Sequence, residues 1–184
     1  MKIGIVSAEP SGDLLGSKLL SVLEQKFDDI SLVGVGSGPL SNYGLSGDRA
    51  LLEIMGLVDP ILNYKKITNF KKKLIKDFIK EEIDVFIGID APDFNFEIHK
   101  QMQKEGIKTI HVVCPSVWAW RPGRIKHFKH VDYMLCLFPF ELEYCANVRK
   151  QAFCIGHPLI DEKEAYVNEF KENIICIMPG SRKS

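Results

Sequence analysis

Near the middle of the chain stands Asp84-Val-Phe-Ile-Gly-Ile-Asp-Ala-Pro-Asp-Phe-Asn95, the stretch that decides the fold. Its first part, Val85 to Ile89, is a short apolar run of the kind found in strands buried on both faces of a parallel sheet. Pro92 interrupts the strand pattern, and apolar residues then recur every four positions from Phe94 to Glu105, as in a helix. The sequence therefore predicts a strand that passes directly into a helix.

Three polar side chains follow this strand: Asp90, Asp93 and Asn95. Because open parallel sheets bind ligands at the carboxyl ends of their strands, we expect these side chains where a substrate would lie. Asp93 and Asn95 also suit the alternative role of capping the helix. For Asp93 we expect capping at least as much as a chemical role. Asp90 precedes any cap position and is therefore the stronger candidate for a functional role.

The composition is that of a globular core without net charge. The 184 residues suit one large domain, or one domain and the beginning of a second, and 46% of them are hydrophobic. Lys plus Arg and Asp plus Glu both number 24, so no overall field favours a nucleic-acid partner. Five scattered cysteines without a CxxC pair predict reduced core thiols of a cytosolic protein, not a disulfide framework or a metal site.

The apolar runs are too short for a signal peptide, or for the roughly 18 residues of a membrane-spanning helix. We therefore expect a soluble protein, attached at most to a membrane surface.

The chain opens with a predicted strand over 2–6, a turn of small residues and a helix over 14–26. This is the first unit of a doubly wound α/β domain, although the turn lacks the GxGxxG dinucleotide fingerprint. The apolar side of the helix is expected to hold Leu15, Leu19, Val22 and Leu23. The turn offers backbone amides and carboxylates to an anion or to sugar hydroxyls, with Glu9, Ser11, Gly12 and Asp13 as candidates. Helix capping by Ser11 and Asp13 is an equally weighted alternative.

Later predicted strands are likewise followed by polar or aromatic residues. These strands lie over 30–35, 109–113, 133–137 and 152–155. The glycines of Gly34-Val-Gly-Ser-Gly-Pro39 allow a ligand to approach the backbone closely, or simply make a tight turn.

Both tryptophans of the chain lie in one loop, Pro115-Ser-Val-Trp-Ala-Trp-Arg121. Large aromatic side chains beside an arginine are typical of a sugar or phosphate pocket, and two core tryptophans are the alternative. A helix is predicted from Pro122 to His130, and solvent exposure is the default explanation of its basic face.

A lysine-rich segment follows an apolar one in the first half of the chain. Residues 51–62 are apolar, and the helical pattern over 67–78 alternates apolar residues with lysines. This combination is typical of a membrane-surface patch. An ordinary surface helix packed on the sheet gives the same pattern and is the simpler interpretation.

The C-terminal part predicts the beginning of another unit. Residues 159–173 are polar and are predicted to be a linker, and a buried strand over 174–178 leads into Pro179-Gly-Ser-Arg182. Because one strand does not form a domain, we expect 1–158 to be a Rossmann-like domain and 174–184 the first strand and loop of a truncated second domain.

Seven polar loops together resemble those of the lipid A disaccharide synthase family. The two most specific are Asp90-Ala-Pro-Asp-Phe-Asn95 and Ser116-Val-Trp-Ala-Trp-Arg121. The others, in the family's order, are Ala8-Glu-Pro-Ser-Gly-Asp13, Gly34-Val-Gly-Ser-Gly38, Pro139-Phe-Glu141, Gly156-His-Pro158 and Pro179-Gly-Ser-Arg182.

The resemblance implies an inverting glycosyltransferase of the GT-B type, in which two Rossmann-like domains face each other across a cleft. It implies transfer of 2,3-diacylglucosamine from its UDP conjugate to 2,3-diacylglucosamine 1-phosphate, without a cofactor or a metal. The implied location is the cytoplasmic surface of the inner membrane, and the implied partners are both substrates, that surface and, in the full-length form, a second copy of the chain. The main departure is length: nearly the whole UDP-binding domain is absent, so the chain is not expected to be active alone.

The resemblance also implies roles for the site residues. Asp90 would be the base that takes the proton of the attacking hydroxyl, and Arg121 would meet a phosphate. Sugar hydroxyls would be positioned by Glu9, Ser11, Asp13 and Asn95. Ser181 and Arg182 would lie near the donor diphosphate, and the further substrate-binding candidates are Gly12, Asp93, Ser116, Trp118, Glu141 and His157.

Two other functions compete with this one. A non-catalytic sugar- or lipid-binding remnant of such an enzyme would fold without turning over a substrate. A nicotinamide-dependent Rossmann oxidoreductase is disfavoured by the missing glycine fingerprint.

Overall fold

A computed structural model describes residues 1–45 and 64–160, together with the isolated positions 175 and 177. The strands among them are β1 (Lys2–Ser7), β2 (Ser31–Val35), β3 (Val85–Ile89), β4 (Lys108–Val112), β5 (Tyr133–Cys136) and β6 (Gln151–Cys154). They form one parallel sheet in the order β2-β1-β3-β4-β5-β6. The predicted α/β fold class, a Rossmann-like parallel sheet with helices on both faces, is confirmed.

Three α-helices and four 3₁₀ helices accompany the strands in the described ranges. The α-helices are α1 (Pro10–Glu24), α2 (Tyr64–Lys80) and α3 (Pro92–Lys104). The 3₁₀ helices are Gly38–Tyr43, Pro122–His130, Pro139–Tyr144 and Pro158–Ile160. None of these helices is long and apolar enough to cross a membrane.

Alternate residues of the central strands enter cores on opposite faces of the sheet, as the two-residue period of a strand requires. On one face Phe86 of β3 packs with Phe78 of α2 and Ile98 of α3, all fully buried. On the other face Ile87 packs with residues of β1 and with Leu20 of α1. Because both faces of β3 are covered, its sequence shows the unbroken apolar run from which the strand was predicted.

The first helix begins earlier than predicted. Pro10 occupies its first turn, so the helix starts four residues before Leu14 and includes most of the predicted turn. Val22, expected on the buried side, is 48% exposed, whereas Leu20 is buried. Gly16 also faces the sheet, because a Cβ there would lie 2.8 Å from Cδ1 of Ile89. Small residues, and not only leucines, bring α1 onto the sheet.

The lysine-rich helix α2 packs its apolar face on the core. Leu74 and Phe78 are buried, and Ile67, Phe70 and Ile75 pack partly against the same cluster. This is the ordinary surface-helix interpretation, and it leaves the lysines to form the outer face. The apolar segment over 51–62 lies outside the described residues.

The predicted second domain is also largely outside the described residues. Of the strand expected over 174–178, only Ile175 and Ile177 are described, and both side chains are exposed. Most of the predicted linker over 159–173, and the candidate residues Ser181 and Arg182, fall in the part that is not described.

Candidate functional site

The candidate site residues of the described ranges all follow the carboxyl ends of strands. Glu9, Ser11, Gly12 and Asp13 come after β1, and Asp90, Asp93 and Asn95 come after β3. Later strands are followed by Ser116, Trp118 and Arg121 (β4), Glu141 (β5) and His157 (β6). Because every strand pairing is parallel, these loops share one edge of the sheet, where open α/β sheets bind ligands.

A cleft of about 920 Å³ opens at this edge beside α2 and the first turns of α3. Four predicted site residues line it: Glu9, Asp90, Asp93 and Arg121. The lining from α2 combines the apolar side chains of Ile67 and Ile75 with the ammonium group of Lys71. Charged and apolar surface in one cleft suit a ligand that has both an anionic and an apolar part.

The Asp90 carboxylate is carried by an unusual turn between β3 and α3. Asp90 and Ala91 have φ angles of 48° and 41°, in the left-handed region that residues other than glycine rarely adopt. The side-chain amide of Asn95 donates to the backbone oxygens of Asp90 at 2.8 Å and of Ile89 at 3.3 Å, and it holds this turn. Strained backbone of this kind is concentrated at functional sites, so the geometry marks Asp90 as a functional candidate.

Burial raises the pKa of the Asp90 carboxyl above its usual range, and the backbone N–H of Ala91 and the charge of Arg124 offset only part of that rise. A carboxylate whose pKa is raised toward neutral pH is a better proton acceptor than an exposed one. The environment therefore suits a general base.

Asp93 has a different environment, because it binds two arginines. Its carboxylate accepts hydrogen bonds from Arg124 Nε at 3.0 Å and Nη2 at 2.6 Å, and from Arg121 Nη1 at 2.8 Å. Burial acts to raise the pKa of Asp93, but the hydrogen bond and charge of Arg124, together with Arg121, bring that pKa below its usual range. Asp93 thus holds two guanidinium groups at the mouth of the cleft.

Arg124 was not among the predicted site residues. The sequence placed it on a basic helical face with solvent exposure as the default, yet its side chain is only 17% exposed and lines the cleft. Its position one helical turn after Arg121 was the available signal, since residues three apart share a face of a helix.

The capping alternatives are wrong for both helices. The residue at the N-cap is Glu9 in α1 and Ala91 in α3, and neither helix has a side-chain hydrogen bond at its cap. Ser11 is exposed at the start of α1, whereas Asp13 is buried and accepts a 2.6 Å hydrogen bond from Ser37 Oγ. Asp13 therefore ties α1 to the glycine loop after β2.

Gly12 lies directly above the end of β1. A Cβ there would lie 2.7 Å from Ser7 Oγ, so the glycine allows the first turn of α1 to approach the sheet closely. Direct contact of Gly12 with a substrate stays a prediction, as does recognition of sugar hydroxyls by Ser11 and Asp13.

The core alternative for the two tryptophans is wrong, because Trp118 is 40% and Trp120 is 60% exposed. Trp118 packs edge-to-face on Phe140 at 5.0 Å between ring centroids, and the guanidinium of Arg121 lies 5.4 Å from the Trp120 ring. Phe138 stacks on both Phe140 and His157. An exposed aromatic surface of Trp118, Phe138, Phe140 and His157 therefore lies along the edge of the sheet.

The carboxylate of Glu141 is bound by backbone groups of the fold itself. It is buried and accepts hydrogen bonds from the backbone N–H groups of Leu137 and Phe138, both at 2.9 Å. These contacts give it the role of holding the turn after β5. Ser116 is exposed in the loop after β4.

Comparison of the whole chain with known proteins identifies a family. A model described as Lipid-A-disaccharide synthetase matches residues 3–184. The lipid-A-disaccharide synthase of Idiomarina loihiensis is 39% identical over 195 residues, and that of Burkholderia mallei is 38% identical over 198. The chain belongs to the lipid-A-disaccharide synthase family. These alignments cover 99% and 100% of the chain but only 52% and 51% of the relatives, so it spans about half of their length.

Solved structures with little sequence similarity share the fold. A UDP complex of S. aureus MnaA has a TM-score of 0.59 at 15% identity, over 94% of this chain and 48% of that one. A UDP-GlcNAc 2-epimerase from Neisseria meningitidis bound to UDP-GlcNAc has a TM-score of 0.55 at 14% identity, over 91% of this chain and 50% of that one. At this level of identity the likeness supports the Rossmann-like fold alone.

Proposed function

We propose that this chain is the acceptor-side part of a GT-B glycosyltransferase of lipid A biosynthesis. The reaction condenses UDP-2,3-diacylglucosamine with 2,3-diacylglucosamine 1-phosphate to give lipid A disaccharide 1-phosphate and UDP. Family membership supports the reaction class, and the observation that carries the site is a carboxylate of raised pKa in a cleft with two arginines and an apolar wall.

The chemical step assigned to Asp90 is proton removal. As the primary hydroxyl oxygen of the acceptor forms a bond to the anomeric carbon of the donor, its proton passes to the Asp90 carboxylate. The bond from the anomeric carbon to the UDP oxygen breaks, UDP leaves with that electron pair, and the anomeric centre is inverted. The transition state has oxocarbenium character, as in glycoside cleavage.

The other cleft residues suit the two ends of the acceptor. Arg121 and Arg124, already fixed by Asp93, would bind the 1-phosphate, since guanidinium groups form paired hydrogen bonds with phosphate oxygens. Ile67 and Ile75 would contact the acyl chains, and Glu9 would accept hydrogen bonds from sugar hydroxyls. The donor diphosphate would meet Ser181 and Arg182.

The cleft also favours one alternative. Its combination of charged and apolar side chains would serve a sugar- or lipid-binding remnant of such an enzyme, which binds the acceptor without transfer. A chimera separates the two functions: this chain replaces the matching part of the Idiomarina loihiensis synthase, and disaccharide formation is measured by mass spectrometry. Transfer by the chimera, but not by its C-terminal part alone, is expected. A folded chimera that binds the acceptor and makes no disaccharide would support the remnant instead.

We also propose peripheral attachment to the anionic inner surface of the membrane through the outer face of α2. Its exposed lysines are Lys65, Lys66, Lys72, Lys73, Lys76 and Lys80, of which Lys72 and Lys76 also border the cleft. A lysine near an anionic bilayer contributes about 1 kcal/mol of attraction. Because the apolar face of α2 packs on the core, the attachment is electrostatic and weakens as salt rises.

Reversing two of these charges tests the attachment. In co-sedimentation with vesicles rich in anionic lipid, Lys72→Glu/Lys73→Glu is expected to lower the partition coefficient at least about 30-fold, because roughly 2 kcal/mol of attraction is lost. The matched control is Lys104→Glu/Lys108→Glu. It reverses two exposed lysines near the amino ends of the strands, at the edge of the sheet that lies opposite the cleft. Equal losses in the two variants, or no loss in the first, would remove α2 from this role.

A further inference from the structure

Three cysteines from different parts of the fold meet in one apolar core cluster. Cys114 follows β4, Cys136 ends β5, and Cys145 follows the 3₁₀ helix Pro139–Tyr144. All three are buried, with 2%, 0% and 6% exposure, and their sulfur atoms lie within 4.8 Å of one another. Cys136 Sγ and Cys145 Sγ are 3.7 Å apart. This cluster could not be recognised from the sequence, because metal sites are recognised there by short spacings such as CxxC.

We propose that Cys114, Cys136 and Cys145 form a binding site for a soft, three-coordinate d¹⁰ cation of the Cu(I) type. A metal about 2.3 Å from each of three sulfurs in a plane sets the sulfurs about 4.0 Å apart. One sulfur–sulfur separation is 3.7 Å and none exceeds 4.8 Å, so each needs to change by less than about 1 Å. Ordinary rearrangement of the three side chains supplies such a shift.

The ligand set favours Cu(I) over Zn²⁺. Structural zinc sites have four protein ligands, and within the described ranges no histidine or carboxylate joins the three sulfurs. The nearby carboxylate of Glu141 is taken up by the N–H groups of Leu137 and Phe138. The thiols of Cys114 and Cys145 donate to the backbone oxygens of Pro115 at 3.7 Å and of Glu141 at 3.4 Å, contacts that deprotonation would release. A ligand set of three thiolates selects a soft ion, for which Cu(I) is the biological example.

The surroundings suit such an ion. Phe96, Val117, Phe128 and Met134 belong to the same apolar cluster and keep water away from the sulfurs. Thiolates are the ligands that such an ion needs, so metal binding deprotonates the three cysteines and releases protons to solvent.

Occupancy would join the ends of β4 and β5 to the turn after β5. Cys114 precedes the tryptophan loop, and Cys145 follows the helix that carries Phe140, whose ring meets Trp118. The bound ion would therefore fix the aromatic surface without entering the chemistry proposed for Asp90. This is a structural role, independent of the glycosyl transfer.

The first measurement uses the unaltered chain. Under anaerobic, reducing conditions it is titrated with Cu(I) held by a chromophoric chelator, and withdrawal of one Cu(I) per chain is expected. X-ray absorption of the product should show a shell of three sulfur atoms, and thermal unfolding should move up by about 5–10 °C at 100 times the dissociation constant. A chain that withdraws no Cu(I), or binds it through nitrogen and oxygen atoms, overturns the proposal.

The second measurement assigns the ligands. Cys136→Ser is expected to lose the Cu(I) and the thermal shift, whereas the control Cys154→Ser/Cys176→Ser, which leaves the cluster intact, should keep both; Cys154 is exposed. Equal binding by Cys136→Ser, or loss of binding in the control, overturns the site. So does a product without copper whose mass is lower by two hydrogens, because that product is a disulfide.

Discussion

Asp90→Asn in the chimeric synthase is expected to lower turnover by roughly 10²–10⁴-fold, the usual contribution of a positioned general base. Asparagine keeps the shape and the left-handed backbone that Asp90 adopts, but its amide cannot accept the hydroxyl proton. The loss should therefore appear in kcat, with little change in acceptor affinity, and steady-state kinetics at saturating donor measures it.

Asp93→Asn is the matched control, since Asp93 lies three residues along the same turn and lines the same cleft. Its carboxylate binds Arg121 and Arg124, so its replacement should raise KM for the acceptor and leave kcat closer to that of the parent chimera. In the parent, activity should fall as pH drops through the raised pKa of Asp90, because a base must be ionised to act. Near-normal turnover in Asp90→Asn would remove Asp90 from the catalytic role.

The free energy of unfolding is expected to fall by about 2 kcal/mol per buried imidazole between pH 7 and pH 5, owing to His99 and His111. Both are fully buried, with His99 Nε2 3.0 Å from His111 Nδ1. Burial lowers the pKa of His111 to about 3, and burial together with the charges of His111 and His130 lowers that of His99 well below its usual range.

The sign follows from proton binding. Below pH 6.5 the unfolded chain binds protons that the buried histidine pair of the folded chain does not bind. The free energy of unfolding therefore falls progressively as the pH is lowered from 6.5 toward 3. Urea unfolding at a series of pH values measures this slope.

A paired substitution isolates the two histidines. His99→Leu/His111→Leu removes both partners together and should flatten the slope by about 4 kcal/mol over the same interval, whereas His130→Gln should change it little, because His130 is only partly buried. If the paired variant keeps the parental slope, other groups cause the acid sensitivity.

Much of the fold could be predicted from the sequence, because parallel strands covered on both faces must be apolar throughout. Val85–Ile89 is such a strand, and its predicted and observed bounds agree. The start of α1 was placed too late because the small residues of its first turn resemble a turn, whereas Gly12 and Gly16 pack that helix onto the sheet. Close packing of glycine against a neighbouring element leaves no periodic signal.

The residues of the candidate site could be predicted only where they lie within a single loop. Asp90 could be singled out because its position at the end of a buried strand fixes the edge on which it lies. The pairing of Arg124 with Asp93, and the meeting of three cysteines, depend on contacts between loops that sequence spacing does not encode. Likewise, no sequence pattern around Glu141 showed that its carboxylate would accept hydrogen bonds from backbone N–H groups.

The left-handed backbone at Asp90 and Ala91 has a consequence for engineering. Glycine relieves the steric strain of this conformation but loses more backbone entropy on folding, so a glycine at either position changes stability by the difference between two opposing effects. At position 90 the same change also removes the carboxylate, whereas at position 91 it removes only a methyl group. Attempts to raise heat resistance at this turn therefore belong at Ala91.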